Sequence, residues 1–211
     1  MNVHPAILED TRTGFEQQLS RVRGFALDID IDVIDWERTP GKTISAAIAL
    51  ESDFGDAGLH FDLMMDRPAD TVATLISDAR VRTVIVNLES ADDVWLLLKR
   101  ISAEGKLAGI SVNPETGIET VRQYYEQAGL IQVMTIEPGV QGNPFMEERL
   151  QLLRDVREDG YTGLLGVDGH ITPDTIAAAH AAGASRFSVG SAILKAPDPE
   201  AVYMSLVAKV S

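Results

Sequence analysis

The chain of 211 residues contains no cysteine, which excludes disulfides and thiolate metal sites and leaves its redox compartment unmarked. Aromatic residues are scarce at 6%, with two tryptophans. Basic residues are few as well: 18 Lys and Arg stand against 32 Asp and Glu, giving a formal charge of −14 and a pI near 4.6. Such a surface argues against nucleic acid and against anionic membrane as partners. Small anionic substrates stay open, because backbone N–H groups can hold phosphate inside a negative protein. Long hydrophobic runs are missing too, and no stretch approaches the roughly 18 apolar residues of a membrane span. The start, Met1-Asn2-Val3-His4-Pro5, carries no basic leader region. A cytoplasmic location is the resulting expectation. With 45% hydrophobic residues and no linker or low-complexity tract, residues 1–211 are expected to form a single domain.

What the sequence does have is a run of acids at strand spacing. From Ala26 to Trp36 it reads A-L-D-I-D-I-D-V-I-D-W. Period-two alternation puts Asp28, Asp30 and Asp32 on one face of a strand. Aspartate is a poor strand former and is rarely buried alone. Two readings follow: a solvated edge face, or a polar site at the mouth of a parallel barrel, where carboxylates hold a metal or move protons.

The remaining pattern favours the barrel. Strands are expected at Val3 to Leu8, Phe25 to Val33, Gly58 to Met64, Arg82 to Leu88, Leu107 to Val112, Leu130 to Ile136, Gly163 to Val167 and Arg186 to Val189. Helical segments separate them. Asp10 or Thr11 caps the first, Pro68 opens the third, Ser90 caps the fourth, and Thr172 with Pro173 opens the seventh. Further helices are expected over Gly117 to Ala128 and Pro144 to Glu158, a short helical turn begins at Ser191, and Pro197 to Val210 closes the chain. Eight such units imply parallel βαβ connections and a (β/α)8 TIM barrel at the short end of the usual range. A doubly wound open sheet is the rival, but eight evenly spaced units leave no half-domain for a cofactor.

A (β/α)8 barrel carries its site at the C-terminal ends of its strands. Those ends supply Asp30, Asp32, Asp62, Met64, Asn87, Asn113, Met134 and Asp168, with Gly169-His170 and Gly190-Ser191 after the last two strands. Glycine and serine turns there suit a phosphate, bound by backbone N–H groups.

These residues resemble the ribulose-phosphate 3-epimerase family over nearly the whole chain. The matching pieces are P-A-I-L at 5–8, D-I-D-V-I-D at 30–35, D-L-M at 62–64, V-N-P at 112–114, M-T-I-E-P-G at 134–139, V-D-G at 167–169 and V-G-S-A-I at 189–193. The resemblance implies a barrel of the ribulose-phosphate-binding type. It implies a metal-assisted 1,1-proton transfer that epimerises a ketose phosphate, with Asp32 and Asp168 as the acid–base pair. It also implies a metal site, here of Asp30, Asp32, Asp62 and Asp168. A phosphorylated-sugar pocket would draw on Gly139, Gly142, Gly169, His170, Gly190, Ser191, Met64, Met134 and Asn87. Family members are often homo-oligomers, although no interface patch stands out in this sequence.

The departures matter for chemistry. Asp30 and Asp62 stand where the family has metal-binding histidines, Ala6 where it has serine, Asn87 where it has histidine, and His170 where it has the second glycine of a pair. An all-oxygen set favours a hard divalent cation, Mg²⁺ or Mn²⁺ over Zn²⁺. Without a cation, four carboxylates repel, and at least one keeps a proton near neutral pH. Two functions follow: an epimerase with a switched metal, or a relative without metal or catalysis that binds a sugar phosphate or serves as an interaction protein. A metal hydrolase is a weaker third reading.

Other residues read as structural. Asp28 and His60 lie one layer below Asp30 and Asp62, where they can pair, and His4 and His180 read as structural or surface residues. Met64 and Met134 match family methionines of the pocket, but methionine is more often core filler. Pro40-Gly41-Lys42-Thr43 ends like a phosphate-binding P-loop but lacks its upstream glycine, Trp36 being in that position.

Overall fold

A computed structural model of the chain describes residues 3–35, 41–137 and 142–211. Eight strands run β1 (Val3–Ile7), β2 (Asp28–Asp35), β3 (Gly58–Met65), β4 (Val81–Asn87), β5 (Leu107–Val112), β6 (Leu130–Met134), β7 (Leu164–Asp168) and β8 (Arg186–Val189). All neighbours are parallel, and β8 pairs with β1, so the sheet closes into a ring in sequence order. The helices are α1 (Arg12–Val22), α2 (Ala46–Leu50), α3 (Ala69–Ile76), α4 (Val94–Ala103), α5 (Ile118–Val121), α6 (Leu150–Glu158), α7 (Ile176–Ala181), α8 (Ser191–Leu194) and α9 (Pro199–Lys209). The molecule is therefore a (β/α)8 barrel.

Both faces of every strand are covered, as a helix-wrapped parallel sheet requires. On β2, Ile29, Ile31 and Val33 pack outward in the main apolar core with Leu59, Phe61 and Leu63 of β3. The alternating aspartates consequently face the barrel interior, and Asp30 and Asp32 are 3% and 7% exposed. This excludes the solvated-edge reading of the acidic strand. Register then sets depth. Asp32 lies opposite Asp62, Asp30 opposite His60 and Ala6, and Asp168 opposite Ser188 and Met134.

Several helices begin later than the sequence suggests, because side chains near their starts bond elsewhere. The cap of α4 is Asp93, whose carboxylate accepts from the Leu96 N–H, and not Ser90. The neighbouring Asp92 carboxylate accepts from the Ala69 N–H, which holds that residue outside the helix. Thr172 makes a turn by accepting from the N–H groups of Asp174 and Thr175, so α7 starts only at Ile176. The segment 117–128 forms one α turn followed by a 3₁₀ turn, Arg122–Tyr124, in place of one continuous helix. A second 3₁₀ turn, Glu147–Arg149, precedes α6. Among the described residues no helix is long and apolar enough to cross a membrane.

Candidate active site

A cavity of about 620 Å³, counting its open mouth, lies at the C-terminal ends of the strands. Asp32 and Asp168 both line it, together with Met64, Met134, Ser188, Gly142, Gly169, His170, Gly190 and Ser191. Asp32 comes from mid-β2, where alternation aims it inward, and Asp168 ends β7. The turn after β7 is built for close approach. Gly169 has φ +119°, and a Cβ there would stand 2.9 Å from the backbone nitrogen of Ile136. The Thr135 hydroxyl pins this turn by donating to the carbonyls of Asp168 and Gly169 at 3.0 and 2.7 Å. His170 follows in the left-handed region at φ +51°, a conformation that glycine adopts without strain.

The two cavity carboxyls are poised electrically. Asp32 Oδ1 is buried and has no hydrogen-bond partner. Burial, then Asp168, Asp62 and Asp30, push the Asp32 carboxyl well above its ordinary range. Burial and the Asp30 charge push Asp168 up to about 7, against the pull of Arg186 and of a backbone N–H. Two interacting acids in this range share protons near neutral pH.

Asp30 and Asp62 are placed differently: neither lines the cavity. Asp30 Oδ1 accepts from His4 Nδ1 at 3.0 Å and from Arg186 Nη2 at 2.5 Å, and its Oδ2 accepts from the Ser188 hydroxyl at 2.6 Å. Burial alone would raise Asp30, but the adjacent Arg186 guanidinium and His4 hold it below the usual carboxylate range. Burial lowers His4, leaving a neutral ring whose Nδ1–H donates to the carboxylate. Asp62 Oδ1 accepts from Ser111 at 3.1 Å and Oδ2 from Gln132 Nε2 at 2.6 Å. Burial and Asp168 push Asp62 up to about 8.

The fit of this interior to a divalent ion can be judged from its donors and acceptors. Among the described residues, Asp30, Asp32, Asp62 and Asp168 do not form a group whose ligand atoms all lie within 4.8 Å of one another. Among the described residues the group with ligand atoms close enough to hold a metal is His4, Asp30 and His60, all within 4.8 Å of one another. That trio is already engaged. Both His60 nitrogens are hydrogen-bonded, to Thr83 at 2.8 Å and Asp28 at 2.9 Å, while Asp30 carries the Arg186 guanidinium. The oxygens of Asp30 and Asp62 likewise all have donors. An ion would have to displace bonded groups and sit beside a fixed cation, so the residues present do not fit it.

The other expected residues divide cleanly. Met64, Met134, Gly142, Gly169, His170, Gly190 and Ser191 do line the cavity. Asn87 does not: its amide donates to Asn113 Oδ1 at 3.1 Å and its carbonyl accepts from the Glu89 N–H, tying β4 to β5. Gly139 lies outside the described residues, as do Trp36 and Pro40 of the loop after β2. Asp28 and His60 pair as expected, and Lys42 bonds Asp35 at the surface. Sequence reasoning passed over Arg186 and Gln132. Period two was the available signal, since Arg186 shares a face with Ser188 and Gln132 with Met134.

The ring of eight parallel strands, with an acidic cavity at their C-terminal ends, defines a (β/α)8-barrel protein of the kind that keeps its chemistry at that face. The family model described as "Ribulose-phosphate 3 epimerase family" matches residues 2–194, and the chain belongs to this family. The ribulose-phosphate 3-epimerase of Mycobacterium bovis is 32% identical over 210 residues, covering 97% of this chain and 90% of that protein. The Schizosaccharomyces pombe ribulose-phosphate 3-epimerase is 28% identical over 209 residues, 97% and 91% of the two chains. Among solved structures, 3-hexulose-6-phosphate synthase from Salmonella typhimurium superposes with a TM-score of 0.72 at 20% identity, over 100% of this chain and 98% of that one. At that identity the likeness speaks for the fold.

Proposed function

We propose that the protein epimerises a ketose phosphate by 1,1-proton transfer between Asp32 and Asp168. The observation that carries this reading is the pair itself: two carboxyls in one cavity, both raised, one with an unpartnered oxygen. The ionised partner takes the proton from the carbon beside the ketone. The C–H electron pair moves into the C–C bond, and the carbonyl π pair moves onto oxygen, giving an enediolate. The protonated partner then delivers its own proton to the opposite face of that carbon, and the carbonyl re-forms. The carbon is inverted, and the pair ends with its proton on the other residue. Acids tuned to neutral pH suit this two-way exchange. The phosphate would sit among Gly142, Gly169, His170, Gly190 and Ser191, which line the cavity and can offer backbone N–H groups to an anion. No step is assigned to a metal.

Solvent-deuterium uptake into ribulose 5-phosphate, followed by proton NMR, tests the reading. Uptake is expected with the parent protein. Asp32→Asn and Asp168→Asn are each expected to slow it by roughly 10²–10⁴-fold, the usual weight of a positioned acid or base. The second reading, a sugar-phosphate binder without catalysis, draws on the engagement of Asp30 and Asp62 by protein donors. Phosphate binding without deuterium uptake would establish it.

A further inference from the structure

Arg186 is a buried guanidinium, 4% exposed, inside the barrel below the cavity. It is the first residue of β8. Its Nη2 donates to Asp30 Oδ1 and its Nη1 to Gln132 Oε1, both at 2.5 Å. Gln132 relays the contact through Nε2 to Asp62 Oδ2 at 2.6 Å. One cation thus engages, directly or through one amide, the two carboxyls at the positions where the family resemblance expects metal-binding histidines. Ser188 and Ser111 occupy the remaining oxygens. Gly166 lies opposite Arg186 in register; a Cβ there would press on Leu130 Cδ1 at 3.3 Å and make ordinary contact with Gln132 Oε1 and Arg186 Cβ at 3.6 and 3.7 Å.

We propose that this site takes no divalent ion, and that Arg186, anchored by Asp30 and Gln132, supplies the fixed positive charge that offsets the buried aspartates. A carboxylate oxygen must give up a charge-assisted hydrogen bond before it can coordinate. An incoming cation also meets the repulsion of the Arg186 guanidinium. Arg186 does not line the cavity, so it is a positioning residue that acts through Asp30 and Gln132. The claim about the ion stands independently of the epimerase reading; the claim about activity rests on it.

The test separates the two. Chelator-treated, dialysed protein is titrated with Mn²⁺ while the EPR signal of the free ion is followed. The parent is expected to leave all the ion free at micromolar concentrations, and one bound equivalent per chain would overturn the proposal. Deuterium uptake into ribulose 5-phosphate is expected to be the same with and without EDTA. Loss under EDTA with recovery on adding a divalent ion would also overturn it. Uptake absent under both conditions would defeat the epimerase reading and leave the Mn²⁺ titration to decide this one. In folded Arg186→Gln protein the pH limb of uptake is expected to move upward by a tenfold change in proton activity or more, and an unmoved limb would count against the role. Should that variant not fold, Arg186→Lys is the second: it is expected to keep the parent's pH limb and bind no Mn²⁺, and ion binding by it would overturn the proposal.

Discussion

Asp62 carries a consequence that its neighbours do not reverse. Its carboxyl is pushed up to about 8, so between the ordinary carboxylate range and that pH the folded protein holds a proton that the unfolded chain has released. Stability therefore falls as pH rises through this window. Asp32 and Asp168, also raised, act in the same direction. Asp28 and Asp30 are lowered, and their contribution is lost when pH falls below the ordinary range. The two trends place the maximum near the ordinary carboxylate range, at about pH 4. Thermal melts across the range are expected to show Tm dropping by several degrees between about pH 6 and 8.5. Asp62→Asn, which can accept from Gln132 and donate to Ser111, is expected to remove part of that drop, on the order of 2 kcal/mol at pH 8. At this same scale the sequence displayed Asp32 and Asp168 plainly, because period-two spacing and a strand end fix where those side chains point. It concealed the status of Asp30 and Asp62. Their donors, His4, Arg186, Gln132, Ser188 and Ser111, lie 26 to 158 positions away, and only the closed barrel brings such groups together.

Strands were legible as elements because covered parallel strands carry β-branched residues at a steady period. Leu107–Val112 and Arg186–Val189 fall where the pattern puts them. Helix starts were harder to read, since Ser, Thr and Asp compete for the same backbone N–H groups. Asp93 outcompetes Ser90, and Thr175 marks the start of α7 after Thr172 has formed its turn. The caps that did form have measurable value. Asp198 accepts from the Ala201 N–H at 3.0 Å at the start of α9, which buries Tyr203 and Leu206. Asp198→Ala is expected to cost about 1 kcal/mol, a Tm loss of roughly 2–4 °C in a melt, without altering the cavity, which Asp198 does not line.

The whole molecule depends on the β1–β8 seam. Without β8, Asp30 loses both Arg186 and Ser188, Gln132 loses its cationic partner, and β1 and β7 become open edges. A chain ending at residue 185 is therefore expected to show no cooperative thermal transition by circular dichroism, since a buried carboxylate without its partner costs several kcal/mol. The same seam governs how the chain reaches its native state. The Asp30–Arg186 contact spans 156 positions, so its loop-closure entropy is paid before its charges can pair. The joining of the two chain ends is therefore expected to limit the folding rate, and until it happens Asp30 is without the guanidinium that it pairs with in the native barrel.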